Sequence, residues 1–159
     1  VIPPLLVAIL FVTLFGGGLR NIIFILALVS WTNICRLVRG EIFTLKEREY
    51  SIAAKAIGAK PYYILFRHLL PNAVGSVILS SLLCVPNAIM LEAMLSFLGI
   101  GVNPPTPSWG QMIRDGLYYI QFYWHLTFFP AIFLSLTVLS LSFIGDGIRD
   151  ALDPKLRGR

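Results

Sequence analysis

The side chains of this 159-residue chain that could do chemistry are few and far apart. Glu92 is the one carboxylate inside or at the end of an apolar run, in the stretch AIMLEAMLSF, residues 88–97. A carboxylate in or near hydrocarbon is costly and often functional. It could relay protons, or it could make a packing or gate-side contact near a membrane interface, with Arg114 as the candidate partner. His68 and His125 fall on opposite sides of the membrane in the arrangement deduced below, so they cannot share a metal. Cys35 and Cys84 both lie in apolar runs. Their spacing offers neither a disulfide framework nor a metal pair, and they read as small apolar side chains in packed helices. No G-x-x-x-x-G-K-[ST] phosphate loop occurs, and GAKPYY at 58–63 is not one. Neither catalysis nor nucleotide hydrolysis is therefore expected of this chain, and no cofactor is called for.

The elements that must position these residues are membrane elements. The composition is 57% hydrophobic and 13% charged, whereas soluble domains carry about a quarter charged residues. The apolar residues come in four blocks: 1–15, 21–38, 73–91 and 123–144. About 20 residues of helix cross roughly 30 Å of hydrocarbon. The third and fourth blocks meet that length. The second meets it if its ends reach the headgroups, and the first only if further residues precede Val1. Val1 reads as an internal position of a longer chain, since no basic n-region is present and Pro3 and Pro4 would interrupt a signal peptide. The expected fold class is an all-α, polytopic membrane helical bundle.

The net charge of +5 follows the membrane and does not indicate nucleic acid. Arg36, Arg39, Lys46, Arg48, Lys55, Lys60 and Arg67 lie between the second and third blocks, and Arg149, Lys155, Arg157 and Arg159 follow the fourth. The positive-inside rule then places 36–72 and the C-terminal tail in the cytoplasm, and Gly16–Arg20 and a loop at about 101–122 outside. In that loop Pro104, Pro105 and Pro107 favour an extended start. Ser108 can cap a short helix running to about Asp115, and Trp109, Tyr118, Tyr119, Tyr123 and Trp124 read as interfacial anchors.

The inner segment EREYSIAAKAIGAKPYYILFRHLLPN, residues 47–72, reads as a helical hairpin over about 44–71. Thr44 to Glu47 has capping-box spacing, which predicts a helix start near Leu45. Tyr50, Ala53, Ala54 and Ile57 stand at i, i+3, i+4 and i+7 and make an apolar stripe. Gly58 suits the C′ position, and Pro61 can open a second helix whose stripe is Tyr62, Leu65, Phe66 and Leu69, ended or kinked by Pro71. Two readings compete. A basic amphipathic hairpin could lie on anionic lipid. Alternatively, the alanines flatten one face so that a partner backbone comes close, and Gly58 allows a sharp turn, which suits insertion into a protein cleft.

At these residues the chain resembles the integral permeases of ABC importers. Their cytoplasmic loop reads E-A-A, three residues, G, nine residues, I-x-L-P. Ala53-Ala54, Gly58 and Leu70-Pro71 match at that spacing. Ile52 stands where the family has Glu, and His68 where it has Ile; Glu49, one turn earlier, is the candidate replacement for the missing carboxylate. LVSWTNICRLVRGE, LSFLGIGVNPPTPSWGQMI and GDGIRDALDPKLRGR are similar to the dipeptide, oligopeptide and nickel subfamily, specifically its second permease subunit type.

The resemblance implies part of a type I importer transmembrane domain in a bacterial or archaeal cytoplasmic membrane, multi-pass, with a cytoplasmic C-terminus. It implies two ATPase subunits, a second and non-identical permease subunit, and an extracytoplasmic solute-binding protein as partners. Glu49, Tyr50, Ala53, Ala54, Ile57, Gly58, Leu70 and Pro71 would form the ATPase-coupling element. Gly75, Ser76, Ser80 and Ser81 put small residues close together in the third block, where they serve helix packing or line the path; Ser80, Ser81 and Glu92 are the candidate path or gate residues. Pro86, Asn87 and Pro130 could kink their helices. Asp146, Arg149, Asp150 and Asp153 read as a solvated cap near the ATPase. An ion-coupled secondary carrier or channel is the alternative, but it would need ionisable groups at the bilayer midplane.

Overall fold

A computed structural model of the protein describes residues 3–82 and 84–152. Among them every regular element is helical: α1 (Pro4–Phe15), α2 (Leu19–Lys46), α3 (Glu49–Ala56), α4 (Pro61–Ile64) running through a π-helical turn (Leu65–Leu69) into α5 (Leu70–Leu82), then α6 (Cys84–Phe97), α7 (Trp109–Leu117) and α8 (His125–Leu152). By length and composition, Leu19–Lys46, Ser80–Phe97 and His125–Arg149 could each cross a membrane. The protein is an all-α, multi-pass membrane helical protein.

Three helices, α2, α6 and α8, run past the ends of their apolar blocks. The stretch expected to cross at 21–38 lies inside the 28-residue α2, and 123–144 lies largely inside the 28-residue α8. Each is about 42 Å long at 1.5 Å per residue, longer than the hydrocarbon. The reason is propensity: Arg36, Arg39, Glu41 and Lys46 are good helix formers, so the helix continues where the apolar pattern stops. Similarly α6 does not stop at Leu91 but carries Glu92 to Phe97. Arg149 lies in the last turn of α8, whereas Lys155, Arg157, Arg159 and Asp153 lie outside the described residues.

The chain divides into two compact units, within 1–30 plus 83–159 and within Trp31–Leu82. In the first, Ala8 and Val12 of α1, Ile25 of α2 and Leu95 of α6 form the core. Gly110 brings α7 onto α6 so closely that a Cβ there would stand 2.7 Å from the carbonyl carbon of Ala93 and 2.8 Å from its Cα. Gly99, with φ +84, ends α6. Its amide bonds to Ser96 O (3.0 Å) and that of Ile100 to Leu95 O (3.1 Å), the paired bonds of a Schellman motif. Ser108 is at the N-cap of α7 as its type predicts, but its side chain makes no capping bond there.

In the second unit the core is small: Ala54, Ile64 and Leu69, with Ile42, Leu45, Ala59 and Leu65 packed around them. It folds the segment after α2 back on itself, and so builds the hairpin.

Candidate functional site

The hairpin begins later than the capping-box spacing predicts. Thr44 is inside α2, and its hydroxyl donates to Gly40 O at 3.2 Å. That back-bond requires helical backbone, whereas a capping residue must be extended. Thr44 therefore cannot cap α3. A tight turn follows, with Glu47 N bonded to Thr44 O (3.3 Å) and Arg48 N to Leu45 O (3.2 Å). Arg48 takes the extended N-cap conformation, and α3 opens on Glu49, an acidic residue in the first turn where the helix dipole favours it.

The far end of α3 is a second Schellman motif. Gly58 has φ +82; its amide bonds to Lys55 O (3.0 Å), and Ala59 N reaches back to Ala54 O (3.1 Å). Only a residue without a Cβ adopts this conformation at no cost. Pro61 then opens α4 from its first turn.

Pro71 neither ends nor sharply breaks the second helix. In a regular α-helix it would lack its N–H bond, and its ring would press on the carbonyl four residues back. The chain widens beforehand instead: across the π turn, Leu70 N bonds to Leu65 O, five residues back. Asn72 Nδ2 donates to His68 O at 2.6 Å and satisfies a carbonyl beside the proline.

The predicted coupling residues separate by face. Ala54 is buried in the hairpin core. Glu49, Tyr50, Ala53, Ile57 and Gly58 point outward, and Ile57 is 85% exposed. In the second stripe Leu69 is buried and Leu65 half-buried, while Tyr62 and Phe66 are exposed. Leu70 is half-buried and Pro71 exposed. Each apolar stripe thus serves two faces, one closing the hairpin and one left outward.

Sequence reasoning missed two members of the closing face, Ile64 and Ser51. Ser51 is 3% exposed, and its hydroxyl donates to Leu45 O at 2.8 Å, tying α3 to the end of α2. Its place three residues before Ala54 was a signal for it. In the sequence His68 reads as a departure from a motif and as an inner-side histidine that cannot share a metal with His125. Its ring stands 6.4 Å from that of Tyr50 and 5.7 Å from that of Tyr63, bridging α3 and α4.

The remaining candidates are distributed over both units. Ser80 and Ser81 lie on α5 of the second unit. The Ser81 hydroxyl donates to Val77 O of its own helix at 2.7 Å. Glu92 lies on α6 of the first unit, and its partner is not Arg114. Glu92 Oε1 accepts the Ser96 hydroxyl at 2.7 Å, while Arg114 pairs with adjacent Asp115 at 3.0 Å. His125 packs its ring against Tyr123 and Trp124. Among the described residues no group of three His, Cys, Asp or Glu side chains could hold a metal ion. The arrangement that emerges is a preformed hairpin with an exposed apolar tip.

Residues 1–158 match the family model described as binding-protein-dependent transport system inner membrane component. Over 157 residues the chain is 46% identical to the oligopeptide transport system permease protein OppC of Bacillus subtilis (strain 168), covering 98% of this chain and 51% of that protein. Over 157 residues it is 47% identical to the dipeptide transport system permease protein DppC of the same organism, with 98% and 49% covered. It is also 41% identical over 156 residues to the glutathione transport system permease protein GsiD of Escherichia coli O1:K1 / APEC, with 98% and 52% covered. The chain spans about half the length of the curated relatives it matches.

Proposed function

This chain belongs to the family of binding-protein-dependent transport system inner membrane components, and from that premise we propose that it is a permease subunit of an ATP-driven importer for dipeptides or oligopeptides. It forms half of the solute path, with a second, non-identical permease subunit as the other half. Two ATPase subunits supply the energy from the cytoplasm, and an extracytoplasmic binding protein delivers the solute. The chain itself hydrolyses nothing. It sits in a bacterial or archaeal cytoplasmic membrane with its C-terminus inside, as the distribution of Lys and Arg supports. The peptide class rests on relatives whose names specify oligopeptide, dipeptide and glutathione transport.

The observation that carries this reading is the hairpin of α3, α4 and the π turn. It is closed by its own core, yet it displays Ile57 beside the sharp turn at Gly58. A lipid-lying helix would turn its large apolar residues to one side in a broad band. Here the outward apolar residues Ile52, Ile57, Tyr62, Tyr63 and Phe66 lie on both arms of a sharp turn at Gly58, with the small Ala53 among them, an arrangement that in a chain of this family suits a protein cleft. Glu49, Tyr50, Ala53, Ala54, Ile57, Gly58, Leu70 and Pro71 are assigned to coupling, the outward ones by contact and Ala54, Leu70 and Pro71 by shaping the hairpin. Movement of the ATPase pair shifts the hairpin as one piece and tilts the spans between inward-open and outward-open states. Ser80, Ser81 and Glu92 are assigned to the path or gate.

The test uses the full-length protein, reconstituted in vesicles with its partner permease, ATPases and binding protein. Ala53→Asp places a charge on the outward tip; Gly58→Asp does the same and adds backbone strain at φ +82, although its Cβ meets no atom within 4 Å. Both are expected to abolish solute-stimulated ATP hydrolysis while the permease still inserts. Stimulated hydrolysis equal to wild type in both variants overturns the assignment.

A further inference from the structure

Glu92 stands little more than one turn before the end of α6, half-buried, with its Oε1 accepting the hydroxyl of Ser96 at 2.7 Å. Ser96 is 1% exposed. Its Oγ in turn accepts the amide of Val102 at 3.1 Å, six residues along the loop that leads to α7. The residue before Val102 is held from the other side. Gly101 O accepts the amide of Gly18, in the turn between α1 and α2, at 3.2 Å. Gly101 also lies so close to Ser96 that a Cβ on it would collide with the Ser96 Oγ, Cα and N. One dipeptide of the loop is thus gripped by α6 on one side and by the α1–α2 turn on the other.

The direction of the protons matters. A serine hydroxyl has one proton to give and two lone pairs. Given to a carboxylate, that proton fixes the rotor, aims a lone pair at the Val102 N–H and makes the oxygen a stronger acceptor. Without an acceptor at position 92 the hydroxyl can turn to its own helix carbonyls, as Ser81 and Ser142 do, and a buried amide loses its best partner.

We propose that Glu92 is a positioning residue: acting through Ser96, it holds Gly101–Val102 of the α6–α7 loop, and with it the α1–α2 turn, and what it supplies is a hydrogen-bond acceptor, not a transferable proton. The geometry stands by itself; only the transport readout below rests on the permease reading. The loop so fixed is the one carrying Pro104, Pro105 and Pro107, expected outside the membrane.

The experiment uses the full-length permease in its assembled transporter in lipid nanodiscs. Amide exchange is read at Gly18 and Val102, and transport and ATP hydrolysis are read across pH. Ser96→Ala and Glu92→Ala are expected to speed exchange at Val102 by about tenfold, the loss of roughly one hydrogen bond. They should lower solute-stimulated hydrolysis. Glu92→Gln keeps an acceptor oxygen; it should retain wild-type exchange, transport and pH profile. Unchanged Val102 exchange in Ser96→Ala overturns the bracket. Loss of transport in Glu92→Gln with wild-type exchange also overturns the proposal and points to proton transfer by the carboxylate. A wild-type assembly whose hydrolysis ignores peptide would sink the permease reading, yet the exchange comparison would still decide the bracket.

Discussion

Ile57→Ala separates docking from folding at the hairpin tip. Ile57 is 85% exposed, so the folded hairpin owes it almost nothing, and its truncation should change hairpin stability by less than about 0.5 kcal/mol, as at other surface sites. If a partner cleft buries it, the three carbons removed are worth about 2 kcal/mol at roughly 0.8 kcal/mol per methylene. That corresponds to about a thirtyfold weaker complex at 1.4 kcal/mol per tenfold. The assay titrates purified ATPase subunits onto the full-length permease in nanodiscs, with amide exchange of residues 45–70 read in the same samples. Leu69→Ala is the contrast: Leu69 is 5% exposed within the hairpin core, and its truncation should cost about 2–5 kcal/mol and raise hairpin exchange directly. Ile57→Ala should weaken binding with wild-type exchange. Binding within twofold of wild type, or exchange raised as in Leu69→Ala, would refute the reasoning that the outward half of the stripe exists for a partner.

Three further substitutions test the packing that supports the sites. Gly110→Ala pushes a Cβ into the backbone of Ala93; overpacking of this kind costs about 1–3 kcal/mol, so the solubilised permease should melt below wild type. Gly147→Ala, in α8 with nothing within 4 Å, should be neutral or stabilising by up to about 1 kcal/mol; equal shifts in the two variants would remove the close-approach argument. Ser51→Ala deletes the bond to Leu45 O at a cost of about 1 kcal/mol. Severalfold faster exchange over α3 is expected, and no change would mean that the hydroxyl is dispensable there.

What could be read in the sequence was what depends on local chemistry. Gly58 before Ala59, and Gly99 before Ile100, carry the pattern of a helix stop followed by an apolar residue, and both form the same motif. What was misread depends on which of two compatible local options the rest of the chain selects. Thr44 can cap a helix or bond back into one. The helix-forming run from Arg36 to Lys46 selects the second, so the residue with capping-box spacing ended up inside α2. Pro71 can end a helix or be accommodated by widening it, and the π turn just before it takes the second course. The partner of Glu92 was sought in a distant cation because charge invites charge. The nearer solution, a serine one turn on at i+4, was visible in the sequence as E-x-x-x-S but carries no signal until the loop amide that shares it is seen.

The two accommodated residues, Thr44 and Pro71, bear on how a hairpin could carry motion. Had Thr44 capped a new helix and Pro71 ended one, the hairpin would have been hung on two loops, and a push on its tip would dissipate there. Instead α2 runs unbroken to Lys46, and α4 passes through the π turn into α5 without a break. On the second side the hairpin is therefore continuous with α5. On the first, only the tight turn at Glu47–Arg48 intervenes, and it is bridged by the Ser51 bond to Leu45 and by the shared core of Ala54, Leu45 and Ile42. Under the permease reading, the stiffness that delivers a stroke is supplied by the same residues that keep this small hairpin folded. Under the same reading the outward Ile57 side chain, which the hairpin core does not use, is left to the partner.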